Sequence, residues 1–330
     1  MKFFGTNLHR SLVISLLLIS AAIAAAPAQD PRTQASPTRE DRILLTAVDK
    51  DRHFVKSLRR EDLRFLEDGK PQEITSLELL TDQSASIAIL IDASFSQEQT
   101  LPAQKLAATS FVEAIIRPAR DKAAVATFTG TLTIEQPLTD DETLLRQAIA
   151  RAKVVPPPGY IGGGVVVGRL PPAKPNVVAG STAVWDSVVA ACEQLLSQSN
   201  EQTRHAIVLL SDGEDTNSKT KMADAIARAI RENAAIYSIG IGDTYTFGIN
   251  KDALRKLSER TGGSAFFPKR VSDLPAIFTE IGEELRTQYL VVYGSSRGAG
   301  FSRKIEVEIV NPALRSSGIQ LSYPRIAPGK

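Results

Sequence analysis

The chain has 330 residues, 43% hydrophobic and 23% charged, the proportions of an ordinary soluble globular protein, which exclude disorder, collagen and coiled coil. A single Cys excludes a disulfide framework and any zinc site built from several thiolates. The formal charge is +2, and Lys2 and Arg10 account for all of it, so the remainder nets zero. With no basic excess or stripe to meet a phosphate backbone, nucleic acid is not an expected partner.

Residues 1–28 read as an export signal. Lys2 and Arg10 make a positive start, Leu12 to Ala25 is apolar save for Ser15 and Ser20, and Ala26-Pro27-Ala28 gives a small-x-small cleavage pattern before Gln29. The apolar run is short for a membrane-spanning helix, so cleavage after Ala28 is expected, with no stable membrane insertion afterwards. Location is then periplasmic or extracellular. Gln29 to Asp41 is polar and reads as a flexible leader.

Residues 42–81 show period-two patterning, with Asp68-Gly69 as a hairpin-type turn between Leu63–Glu67 and Glu73–Leu79. Residues 82–287 are different in kind. Continuous apolar runs at 87–91, 124–128, 206–210 and 235–239, with a shorter one at 264–267, fit buried parallel strands. Thr131 to Gln136 alternates as an edge strand would. Between these runs lie stretches of helical period: Leu101, Ala108, Val112 and Ile115; Val184 to Leu196; and Leu274 to Leu285. The alternation predicts an α/β fold, a doubly wound, mostly parallel sheet with helices on both faces. Residues 288–330 return to period two, as in Ile305, Val307 and Ile309 against Lys304, Glu306 and Glu308. Neither flank is long enough to hold a core alone. The economical arrangement is one small antiparallel β-sandwich built from 42–81 and 288–330, with the α/β domain inserted between its halves.

Ligands of open α/β sheets bind at the carboxyl ends of the strands. There this sequence places Asp92-Ala-Ser94-Phe-Ser96 after the first strand and Ser211-Asp212-Gly213 after the strand at 206–210. Gly180-Ser181-Thr182 opens the helix that contains Trp185. Asp92, Ser94, Ser96, Thr182 and Asp212 make an oxygen-only donor set from three loops. It suits Mg²⁺, with Mn²⁺ or Ca²⁺ as alternatives, and does not suit zinc or copper.

In order and strand context these five residues resemble the metal-ion-dependent adhesion site of von Willebrand factor A domains. The segments IVLLSDGEDT (207–216) and YSIGIGD (237–243) resemble the same family. The flanks are similar to those of a bacterial exported branch, through Val48-Asp49 to Val55, Glu67–Ile74, Gln288–Tyr293 and Arg303–Glu308. The resemblance implies that Ser94, Ser96 and Thr182 supply hydroxyl oxygens, and that Asp92 and Asp212 act directly or through water. An Asp or Glu carboxylate of a partner protein would complete the shell. Phe95 and Gln97 depart from the family's usual first loop without touching a ligand position. The function implied is adhesion-type protein binding; the alternative is an envelope component in which the metal only stiffens the loops.

Competing readings are few. Asp92, Ser94 and Ser96 could be helix caps, but capping leaves Thr182 and Asp212 unexplained. Asp140-Asp141 reads as a cap, Asp49 and Asp51 as turn residues, and Cys192 as core. His53 and His205 are the only histidines after residue 28. His205 stands seven residues before Asp212, about 20 Å along a strand, so no serine–histidine pair forms at the site. No G-x-S-x-G, P-loop or G-x-G-x-x-G after a strand is present, and no enzymatic activity is expected. Residues 156–180 hold six prolines and six glycines and end beside Thr182. That loop and Phe95 are the expected determinants of partner choice.

Overall fold

The structure is a computed structural model and describes residues 39–156, 181–197, 203–242, 248–295 and 302–327. The segment expected to be an export signal, most of the expected leader and nearly all of the Pro/Gly-rich stretch lie outside the described residues.

The N-terminal flank supplies β1 (Arg39–Val48), β2 (Leu63–Glu67), β3 (Lys70–Gln72) and β4 (Ile74–Leu80). The inserted domain then runs β5 (Ala85–Asp92), α1 (Leu101–Ile115), β6 (Lys122–Phe128), β7 (Leu132–Thr139) and α2 (Glu142–Arg151). It continues as α3 (Val184–Ala191), which passes into a π-turn at Cys192–Leu196, then β8 (Arg204–Ser211), α4 (Met222–Arg231) and β9 (Ala234–Gly240). It closes with α5 (Lys251–Thr261), β10 (Ala265–Phe266) and α6 (Leu274–Arg286). The C-terminal flank adds β11 (Gln288–Ser295), β12 (Arg303–Ile309), the short α7 (Pro312–Ser316), β13 (Gln320–Ser322) and β14 (Ile326–Ala327).

Among the described residues there are three sheets. The six-stranded sheet runs β10-β9-β8-β5-β6-β7, parallel throughout except for the antiparallel edge strand β7. Every residue of β5, β8 and β9 is buried, which is why these segments read as continuous apolar runs rather than alternating ones. Ile87, Ile89 and Ile91 face α1, α2 and α6, where the rings of Phe111 and Phe278 meet edge to face at 5.6 Å. Ala88 and Leu90 face α3, α4 and α5 through Val184, Val188, Ile226 and Leu254. No helix of the described residues is long and apolar enough to cross a membrane.

The two flanks interleave as expected. One four-stranded sheet is ordered β13-β1-β11-β4 and the other β14-β12-β2-β3, so each contains strands from both ends of the chain. Leu45, Phe65, Tyr293 and Ile305 fill the space between them, with Phe65 and Tyr293 at 4.0 Å between ring centroids. Buried Arg303 pairs with Asp41 and with Glu67 (3.1 Å), and donates to Ser295 Oγ at 2.7 Å.

Two expectations need correction. The leader expected at 29–41 is shorter at its end: Arg39 to Asp41 belong to β1 and pair with Ser295, Gly294 and Tyr293. Arg303 anchors Asp41 there. The turn at Asp68-Gly69 joins β2 to the short β3, with Glu67 opposite Lys70. Both turn residues have positive φ (50° and 77°), the type I′ geometry that matches strand twist. The longer strand β4 does not continue that hairpin. After Glu73, whose carbonyl accepts from Gly294 N at 3.0 Å, the chain crosses to the other sheet and pairs with β11.

Candidate metal centre

The carboxyl ends of β5, β6 and β8 are stitched together by backbone hydrogen bonds. Ala93 N donates to Phe128 O (2.9 Å), and Ala183 N donates to Thr129 O (2.7 Å). Thr216 N and Asn217 N both donate to Thr182 O at 2.9 Å. Thr182 N returns a hydrogen bond to Thr216 Oγ1 at 2.9 Å. Residues far apart in sequence are thus held at one edge by peptide groups, before any side chain contributes.

Four of the five expected ligands form one hydrogen-bonded group. Ser94 Oγ and Ser96 Oγ are 3.0 Å apart, and Ser96 Oγ donates to Asp212 Oδ2 at 3.3 Å. Asp92 accepts from Ser94 N at 3.0 Å through Oδ1 and from Ser211 Oγ at 2.7 Å through Oδ2. The fifth, Thr182, is buried on the neighbouring loop; its hydrogen bonds go to Thr216 and Asn217, in the loop after Asp212, and not to the other four residues. Asp212 Oδ1 accepts from Glu214 N at 3.0 Å, a tight turn that needs Gly213 between them. Gly213 has φ of 81°, and a Cβ there would lie 2.7 Å from Leu254 Cγ.

Burial shapes the charge at this edge. It pushes the Asp92 carboxyl up to about 7, with the neighbouring Asp212 charge adding to it and the Ser94 and Ser211 hydrogen bonds opposing it. Burial also raises Asp212, against the hydrogen bonds from Glu214 N, Ser96 and Gln97. Among the described residues no basic side chain hydrogen-bonds or pairs with either carboxylate; their partners are hydroxyls, amide N–H groups and one carboxamide. Two buried acids with only neutral donors are a site in charge deficit. The oxygen-only donor set therefore fits a hard divalent cation on its chemistry as well as on its composition.

Three further residues contribute, of which only Gln97 is named above, as a departure from the family's first loop. Helix α3 has Ala183 at its N-cap and no cap from its own side chains. Its orphan N–H groups are taken by Asp215 Oδ1, which accepts from Val184 N at 2.7 Å, and by Ser218 Oγ, which accepts from Trp185 N at 3.0 Å and Asp186 N at 3.1 Å. Asp186 reciprocates by accepting from Lys219 N (2.9 Å) and Thr220 N (2.8 Å). This clasp locks the loop after Asp212 onto the helix that Thr182 introduces. The third contributor is Gln97, wholly buried, whose carboxamide donates to Ser96 Oγ (3.2 Å) and to Asp212 Oδ2. The one available signal was negative: a helix opening on Ala183 has to find its cap elsewhere in the chain. Phe95, an expected partner contact, is half-buried. Asp141 caps α2 as expected, accepting from Thr143 N at 2.8 Å.

The family model described as von Willebrand factor type A domain matches residues 176–280. That span contains Thr182 and Asp212; Asp92, Ser94 and Ser96 lie before it and are joined to it by the contacts above. No curated protein matches the chain. Among solved structures it is similar to the conserved hypothetical protein BatB from Bacteroides thetaiotaomicron, with 17% identity, 61% of this chain and 98% of that one covered, and a TM-score of 0.46. It is similar to a von Willebrand factor type A protein from Catenulispora acidiphila, with 12% identity, 90% and 75% covered, and a TM-score of 0.46. It is also similar to proximal thread matrix protein 1 from the mussel byssus with a zinc-occupied MIDAS motif, with 17% identity, 66% and 49% covered, and a TM-score of 0.47. Likenesses this distant say nothing about function. Residues 176–280 thus match the von Willebrand factor type A domain model, and they lie within the doubly wound sheet described above.

Proposed function

We propose that this chain is an exported, divalent-cation-dependent protein-binding module rather than an enzyme. Asp92, Ser94, Ser96, Thr182 and Asp212 would hold the cation, Mg²⁺ first, with Mn²⁺ and Ca²⁺ taking the same oxygen donors. Such a cation would supply residual positive charge toward solvent, where an Asp or Glu side chain of a partner protein can complete its shell. The observation that carries the reading is the Ser96–Asp212 hydrogen bond at 3.3 Å, which joins two loops more than a hundred residues apart around two buried carboxylates with no basic partner among the described residues. Domains of this type are generally interaction modules, which agrees with that chemistry.

Export rests on the pattern of residues 1–28, and membership of the exported bacterial branch on the flank motifs. N-terminal sequencing of the protein secreted with residues 1–28 in place should find Gln29 first. For the cation, thermal melts with and without Mg²⁺ or EDTA are the direct assay. At a hundredfold excess over Kd, binding should add about 2.7 kcal/mol of stability. Melting that ignores both additives would end the reading.

A further inference from the structure

Gln97 is wholly buried in the turn after Ser96, and its carboxamide is fixed at both ends. Its Oε1 accepts from Thr100 Oγ1 at 2.5 Å and from Gln104 Nε2 at 2.7 Å. Its Nε2 faces Ser96 Oγ and Asp212 Oδ2. The reverse orientation would aim a carbonyl at a carboxylate, so without a cation the amino group is the end that belongs there. Its partial positive charge is then the nearest compensation that Asp212 has.

A cation shared by Ser96 and Asp212 would need the same side of the same oxygens. Nothing favours an N–H pointing at a metal ion. Gln97 also has little room to withdraw, because Gln104 behind it is buried too. Gln104, however, keeps its Oε1 buried with no hydrogen-bond partner among the described residues. An unsatisfied buried carbonyl costs free energy and is an acceptor in waiting. If both carboxamides turn over about their terminal torsions, a soft and roughly twofold rotation, Gln97 Nε2 can donate to Gln104 Oε1. Thr100 Oγ1, a hydroxyl, can switch from donating to accepting.

We infer that Gln97 is a built-in competitor of the cation: its carboxamide compensates Asp212 when no cation is bound, and cation binding turns it over onto Gln104 at the start of α1. The inference rests on the metal reading above and adds to it a residue that sets affinity through the orientation of its carboxamide. It also gives α1 a side chain that senses occupancy.

The test is Mg²⁺ titration by calorimetry on the full chain, wild type against Gln97→Leu. Removing a hydrogen bond to a charged group that the cation must break should tighten Mg²⁺ binding by about tenfold. The second measurement needs no variant. In wild-type protein with ¹⁵N-labelled glutamine, the side-chain amide resonances of Gln97 and Gln104 should move together on adding Mg²⁺ and return with EDTA. Unchanged or weaker binding by Gln97→Leu overturns the inference, as do amide resonances that stay put while Mg²⁺ binds. If the wild type binds no Mg²⁺ at all, the metal reading falls and this inference falls with it, a result distinct from binding that ignores Gln97.

Discussion

Replacing Asp215 by Ala tests whether the loop after Asp212 holds Thr182 in place. The change removes the acceptor for Val184 N (2.7 Å) and for the Ser218 hydroxyl (2.5 Å). Helix α3 has no cap of its own to fall back on, because Ala183 occupies the N-cap. Losing a cap costs about 0.5–2 kcal/mol. Losing a hydrogen bond to a charged group in a half-buried setting costs about 1.5–3 kcal/mol. The two overlap, since one carboxylate plays both parts, so about 2 kcal/mol is expected in all. For a protein of this size that lowers the melting temperature by about 3 °C. Asp215→Asn keeps an acceptor and should lose about half as much. The assay is paired: thermal melting in EDTA for the cap, and Mg²⁺ titration for the site. Mg²⁺ affinity should fall about tenfold, as it does when residues behind the ligands of a metal site are removed. An unchanged melting temperature would refute the capping argument. A lowered melting temperature with unchanged Mg²⁺ affinity would show that the clasp does not position a ligand.

Other outcomes follow from the same geometry. Asp212→Ala should abolish the Mg²⁺-dependent rise in melting temperature, and a full rise in that variant would remove Asp212 from the site. In EDTA, stability should fall as pH climbs from about 4 through about 7: Asp92 is held near 7 by burial, so the folded state keeps a proton that the unfolded state releases near 4, a difference worth about 4 kcal/mol. Glu284, also raised to about 7 by burial, contributes in the same direction, so Asp92→Asn should remove only part of the slope and a slope that does not change would clear Asp92. Gly213→Ala should cost at least about 2 kcal/mol, from the positive φ and the approach to Leu254, and wild-type melting in that variant would contradict the turn geometry. Removing residues 288–330 takes β11 from between β1 and β4 and β12 from beside β2, so residues 39–80 should become protease-sensitive in limited digestion; resistance would mean that the flank folds alone.

Much of this fold is legible in the sequence because its strands are extreme cases. A strand buried on both faces has no polar residue to hide its period, and β5, β8 and β9 are such strands. Four of the ligand candidates are legible for a related reason: Asp92, Ser94, Ser96 and Asp212, at or just past the ends of apolar strands, have little structural reason to be there unless they cap or bind. What the sequence hides is anything decided by a partner far along the chain. Asp215 and Ser218 look like ordinary loop residues until α3 is placed against them. Gln97 looks like a departure from a pattern until Asp212 is brought to it from more than a hundred residues away. The crossing of β4 into the second sheet is hidden too, because alternation reports that a strand has two faces and not which neighbour it takes.

The inserted domain enters and leaves its host at a single doorway. Leu80, the last residue of β4, sits opposite Gln288, the first of β11, and only Thr287 separates α6 from that strand. The sandwich therefore grips the α/β domain at the amino-terminal end of β5, while Asp92 stands at the other end, eight residues or about 25 Å further on. This is the layout of a handle and a tip. The acidic edge is therefore held at the end of β5 away from the sandwich. A load pulling the tip away from the handle would be shared by the edge strand β4 and its hydrogen-bonded neighbour β11, which is paired on both sides.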